Sequence, residues 1–304
     1  MSFCIDYVTP QSAVPANPPT QAHPPDPFKS LTINRYRFTL VTRTSVRLPR
    51  YKGSTFHGGL GHALRKISPT YYRMLFEPET SGRATSQIPK PYLLLPPLDE
   101  LTEYPPNHTF HLELTLFGEA KNCFPICHAA LEYLGGEMGI GEPRGKYMVQ
   151  AVEESELHAV EPAPEHSMPD ETTTNLRFMT RTRIKDQGRL LRDSLPFPVL
   201  FSRLLGRIDT LAHFYGTGRI IERDIRKNLQ NQAVQIRCPS SNLNYDEWAR
   251  FSGRQKQWMK FGGLLGTATY HGNLNPFLPY LRLGQHTHIG GKTSFGLGRY
   301  VMEE

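Results

Sequence analysis

Near the end of this 304-residue chain the stretch GGKTSFGLG, Gly290 to Gly298, sets Lys292 within a glycine-rich backbone and Arg299 just after it. Open backbone N–H groups beside cations are the chemistry of phosphate binding. The embedded GKTS invites a nucleotide-binding loop, but that motif needs an earlier glycine at position 286, which is His286. It also needs a following helix, for which the residues up to Glu304 leave no room. The nucleotide reading is rejected. Gly290, Gly291, Gly296, Gly298, Lys292 and Arg299 stay as candidates for phosphate contact in general. The alternative is a connecting loop whose glycines permit positive φ.

The charge points the same way. Net charge is +7, and Thr173 to Tyr300 holds 20 Lys and Arg against 7 Asp and Glu, a balance of +13. A half this basic implies a polyanionic partner. Within it, Arg181, Arg183 and Lys185 follow a strand in MTRTRIK, where alternate side chains share a face. In RFSGRQKQWMK, Arg250, Arg254, Lys256 and Lys260 surround Trp258, a mixture able to stack bases and hold phosphates, unless the tryptophan is core. Arg203 and Arg207 read better as a solvated helix face. Of four cysteines, Cys123 and Cys127 share a helix face with His128 following, yet no second ligand pair has zinc-site spacing. Buried cysteines, no metal and no cofactor are the expectation, and nothing resembles a disulfide framework.

These residues need elements to position them. A proline-rich arm occupies residues 1–29, with no secretory pattern, and no segment has the apolar length of a membrane span, so a cytoplasmic protein is expected. From residue 30 to 152 the order is strand, helix, strand, strand, helix, strand. LTINRYRFTLVTR alternates as a strand, Ser54 is placed to cap a helix through TFHGGLGHALRKI, and PYLLLPP and TFHLELTLFG are strands. CFPICHAALEYLG is helical, and KYMVQAV follows the glycine-rich GGEMGIGEPRG. An acidic, proline-bearing linker spans 153–172. Residues 173–304 repeat the plan: NLRFMTRTRI, a helix with Phe197, Phe201, Leu204, Ile208 and Leu211 on one face, AVQIRC, GLLGTATYHG, a short helix in PFLPYLRLG, and RYVME. The fold class is α+β, two tandem ferredoxin-like (RRM-related) domains with glycine-rich loops between second helix and fourth strand of each.

Those residues carry a resemblance. KFGGLLGTATYHGNLNPFLPYLRLGQHTHIGGKTSFGLGRYVM resembles the C-terminal signature of the CRISPR-associated endoribonucleases that process precursor CRISPR RNA, of the RAMP superfamily. LPRYKGSTFHGGLGHALRK, YYRMLFEP, PYLLLPP and GIGEPRGKYMV extend it over roughly residues 31–301. It implies binding of CRISPR repeat RNA and cutting at one phosphodiester, with the crRNA often passed to a multisubunit effector complex. The expected chemistry is metal-independent: 2′-OH attack on the adjacent phosphate, leaving 2′,3′-cyclic phosphate and 5′-OH ends, with one group as base, one as acid and a cation for the developing charge.

The family's usual site, around the first helix, here offers Tyr51, Lys52, His57 and His62. His57 matches the place where relatives carry a catalytic histidine and is read as general base or acid. Lys52 is the candidate for phosphate charge, Tyr51 for orienting substrate or assisting proton transfer. His62 lies about 140° around an ideal helix from His57, so one of the two is structural. Some relatives have cysteines around RKISPTYYRMLFEP; this chain has none there. A noncatalytic crRNA-binding subunit is the competing reading.

Overall fold

A computed structural model describes residues 31–79, 88–157, 171–217, 221–252 and 257–303. The N-terminal arm and most of the acidic segment lie outside the described residues, as do Arg254, Lys256 and the side chains of Arg250 and Trp258.

The N-terminal half runs β1 (Ile33–Thr42), α1 (Gly53–Ile67), α2 (Pro69–Phe76), β2 (Tyr92–Leu95), β3 (Thr109–Phe117), α3 (Phe124–Tyr133) and β4 (Tyr147–Leu157). Its strands pair antiparallel in the order β2-β3-β1-β4. Alternation along β1 sends Tyr36, Phe38 and Leu40 into the core and leaves Arg37 exposed. Against that face pack Phe56, Leu60 and Leu64 of α1 with Cys127, Ala130 and Leu131 of α3. Each fully buried large apolar side chain contributes about 1.5–3 kcal/mol.

Helix α1 starts differently from expectation. Ser54 is already helical, Lys52 occupies the cap position, and no side chain caps the first turn. The Lys52 carbonyl instead accepts from Thr55 and Phe56 N–H at 3.0 and 3.1 Å. Strand β4 runs on to Leu157, into the acidic segment.

The C-terminal half comprises β5 (Thr172–Thr182), α4 (Phe197–Tyr215), α5 (Arg223–Ala233), β6 (Arg237–Asp246), a hairpin of β7 (Ala249–Ser252) and β8 (Gln257–Lys260), β9 (Gly263–Gly272), α6 (Leu278–Thr287) and β10 (Tyr300–Glu303). The order β6-β9-β5-β10 repeats that of the first sheet. The five expected apolar positions of α4 are all buried. AVQIRC is not a strand as read: Ala233 ends α5, and the strand begins only at Arg237.

The halves share a core. Leu31, Ile33, Leu93 and Phe117 join the cluster formed by α4, α6 and the second sheet. Tyr215 of α4 donates its hydroxyl to the Pro89 carbonyl, and Gly118 packs so closely on the Tyr215 carbonyl that no Cβ fits.

Candidate functional site

The loop from Ile289 to Arg299 joins α6 to β10 and has two parts. Gly296 and Gly298 are buried, with φ of 83° and 77°. The Gly298 N–H reaches Arg181 O at 3.2 Å, the Gly296 N–H reaches Thr293 O at 2.8 Å, and the Thr180 hydroxyl donates to Gly296 O at 2.8 Å. A Cβ on Gly298 would lie 1.9 Å from Ile289 O. His288 closes the loop's base, its Nδ1 3.1 Å from Leu297 O. Gly291 and Lys292 are exposed, with half-buried Gly290 beside them, although the Gly291 N–H is held by Arg183 O at 2.9 Å. The amides of Gly291, Gly296 and Gly298 therefore serve the loop itself.

The start of α1 lies against this loop. Tyr51 donates its hydroxyl to Phe295 O at 2.7 Å, and burial pushes its phenol well above the ordinary range. Gly53 has no room for a Cβ, which would meet Phe295 O at 2.3 Å. The His57 ring stacks on Phe295, centroids 3.6 Å apart and planes 17° from parallel, with Nε2 3.5 Å from the Ser294 hydroxyl. At 9% exposure, His57 sits one side chain behind the loop. His62 is exposed, apart from that contact.

Lys52 is wholly buried. Its ammonium donates to Arg50 O at 3.0 Å, Asp99 Oδ1 at 2.9 Å and Asp99 O. Burial pushes the Asp99 carboxyl up, but hydrogen bonds from Tyr104 and Lys52, together with the Lys52 charge, outweigh it and leave the pKa below the ordinary value. A phosphate would reach Lys52 only if this cluster opened. Asp99 stands 47 positions away in sequence, so no local signal reveals the pairing.

On the other side of the loop is a cleft of about 700 Å³. Lys90, Arg183, Lys185, Arg203, Arg207 and Lys292 line it together with Gly290, Gly291, Thr293, Ser294 and Phe295. Among the described residues, none that lines it is acidic. Arg183 and Lys185 lie beyond the end of β5 rather than on it, and they line the cleft together with Lys292. Arg181 does not: it pairs with Asp246 and lies 5.3 and 5.4 Å from the Tyr51 and Trp248 rings. Arg299 is also elsewhere, donating to Gln285 O. Arg207 departs from the solvated reading, because its Nη2 is buried. Lys90, Ser294 and Phe295 join the site from positions that carry no motif of their own.

Cys123 and Cys127 are buried, which pushes both thiols up.

Residues 176–300 match the family model of the CRISPR-associated endoribonuclease Cas6, and residues 31–172 match a model described as an N-terminal domain. No curated protein matches in sequence. Among solved structures, a Thermus thermophilus Cas6 in a product complex is 20% identical with a TM-score of 0.58, covering 89% of this chain and 100% of that one. A partial Cas6-RT-Cas1–Cas2 complex gives 14% and 0.60, covering 90% of this chain and 46% of that one. A RAMP protein binding different RNA substrates gives 13% and 0.50, covering 89% and 100%. The chain thus carries a match to the Cas6 family model in its C-terminal half and shares the fold of solved Cas6 and RAMP structures over most of its length.

Proposed function

We propose that this protein is an endoribonuclease that binds CRISPR repeat RNA and cleaves precursor crRNA without a metal ion. The observation that carries this reading is the junction of the first turns of α1, bearing His57, with a glycine-rich loop that walls a cleft lined by cations and, among the described residues, by no acid. In the reaction the 2′ oxygen bonds to phosphorus, the bond to the 5′ oxygen breaks, and a proton leaves the 2′-OH while another reaches the leaving oxygen. His57 moves one of these protons, with the Ser294 hydroxyl between it and the cleft. Tyr51 and Lys52 hold the first turn of α1 in register with Phe295. The cleft cations bind the RNA backbone and meet the charge that develops on the phosphate.

The second reading, a noncatalytic crRNA-binding subunit of a CRISPR complex, has its own support: His57 is almost wholly covered and Lys52 is already paired. Incubating the protein with repeat RNA in excess chelator decides between them. Cleavage at one site with 2′,3′-cyclic phosphate and 5′-OH ends is the expected result. Tight binding without cleavage supports the subunit, and cleavage only after a divalent cation is restored contradicts the metal-independent route.

A further inference from the structure

Arg207 carries a buried charge with no counter-charge among the described residues. Its Nε donates to Thr287 O at 3.3 Å, and its guanidinium carbon lies 5.9 Å from the centre of the Phe117 ring. Nη2 has neither solvent nor a hydrogen-bond partner among the described residues, which also offer Arg207 no ion pair, Asp209 of the same helix being paired with Arg226. Burial draws its pKa down to about 10, with Tyr215 opposing, so the group stays charged near neutrality. Charges removed from water are ordinarily paired. The residue is nevertheless half-buried as a whole and forms part of the wall of the basic cleft, with Arg203 one turn before it on α4. The bond to Thr287 and the Phe117 ring hold the guanidinium in one pose. A planar fork so held is suited to phosphate oxygens.

We infer that Arg207 anchors one phosphate of the RNA backbone in the cleft between α4 and the glycine-rich loop. The missing counter-charge is then the ligand's own. This assignment rests on the RNA reading above and names a residue within it. Arg203, exposed and unfixed, contributes only general attraction.

The test compares the wild type with Arg207→Gln, Arg207→Lys and Arg203→Gln. Affinity for repeat RNA is measured across a salt series, and melting temperature is recorded with and without inorganic pyrophosphate at matched ionic strength. Expected for Arg207→Gln is a loss of about tenfold in affinity, a salt slope shallower by about 0.7, as for one single-stranded phosphate contact, and an undiminished melting temperature. Arg207→Lys keeps part of the affinity, and Arg203→Gln loses less. Unchanged affinity and slope in Arg207→Gln overturn the inference. So does a lower melting temperature with the slope unchanged, which marks a structural arginine. If the wild type binds no repeat RNA, the function proposed above fails, and pyrophosphate decides the anion site alone. Stabilisation of the wild type that Arg207→Gln loses keeps the site, and absent stabilisation removes it.

Discussion

The two halves place a glycine-rich loop at the same step, before the last strand of each sheet, and use it in opposite ways. In the N-terminal half the loop closes on its own neighbourhood. Ile140 and Gly145 exchange hydrogen bonds of 2.9 Å, and Arg47 and Glu142 exchange bonds of 2.8 and 3.1 Å. The pocket beside it mixes Arg47 with Glu103 and Glu142. In the C-terminal half the loop reaches out of its domain to Tyr51, Gly53 and His57 and walls a cleft with no acidic lining among the described residues. Repetition of the fold sets where a loop falls. Which side chains it carries decides whether it closes a domain or builds a site.

The largest expected contrast is between Gly298 of the C-terminal loop and Gly136 of the helical turn before the N-terminal loop. Gly298→Ala forces a side chain into a positive φ and against Ile289 O, and should destabilise by about 3–4 kcal/mol. Gly136→Ala, just before the N-terminal loop, meets open space and should stay within about 0.5 kcal/mol. Denaturant melts of the two variants check this directly; equal effects would break the contrast.

Acid should also act at the C-terminal loop's base, through His286 in the last turn of α6 and His288 at its C-cap, and not at the N-terminal loop. His286 is held down to about 4 by burial and by the charges of Arg299 and Arg35, and His288 to about 3 by burial and Arg299. The N-terminal loop, Gly139 to Gly145, has no histidine. Between the ordinary histidine pKa and these values the unfolded chain binds more protons, so stability falls as pH drops from about 6.5 towards 4. For His286 the loss at pH 4 is on the order of 3 kcal/mol. His286→Gln should flatten that limb of a stability-versus-pH curve.

At the start of α1, Asp99→Ala strands the buried Lys52 ammonium. The expected loss is about 2–3 kcal/mol, less than for a fully buried pair because Asp99 is 35% exposed. Lys52→Met with Asp99→Ala together should recover part of it in the same melts. The depressed Asp99 carboxyl contributes fully above the ordinary carboxylate pKa and loses its contribution as pH falls from there through its lowered folded value. The smallest contrast separates Lys292 from Arg299. Lys292→Gln should weaken RNA binding by about 1 kcal/mol in a titration, whereas Arg299→Gln should leave affinity unchanged and lower the melting temperature.

Much of this architecture is legible in the chain because its periodicities are local. The alternation of β1 and the apolar face of α4 reach the structure as read. Helix α5 escapes because its surface is polar, with only Leu229 and Ala233 buried. Strand β6 escapes because it is a mostly exposed edge, RCPSSNLNYD, whose pairing shifts register between Arg237 and Ser240, around Pro239. At the site, the basic loop and cleft are legible from charge. The states of Lys52 and Arg207 are not, since each depends on residues distant in sequence: Asp99 for one, Phe117 and Thr287 for the other. Helical spacing alone puts Arg207 in water.

The central claim is that His57, where α1 meets the C-terminal loop, does the proton work. Single-turnover cleavage of repeat RNA in chelator, for wild type and His57→Ala with affinity measured alongside, tests it most directly. The account predicts a rate lower by about 10²-fold or more with binding intact. Equal rates would contradict it and move the chemistry to another residue, with His62 the next to examine.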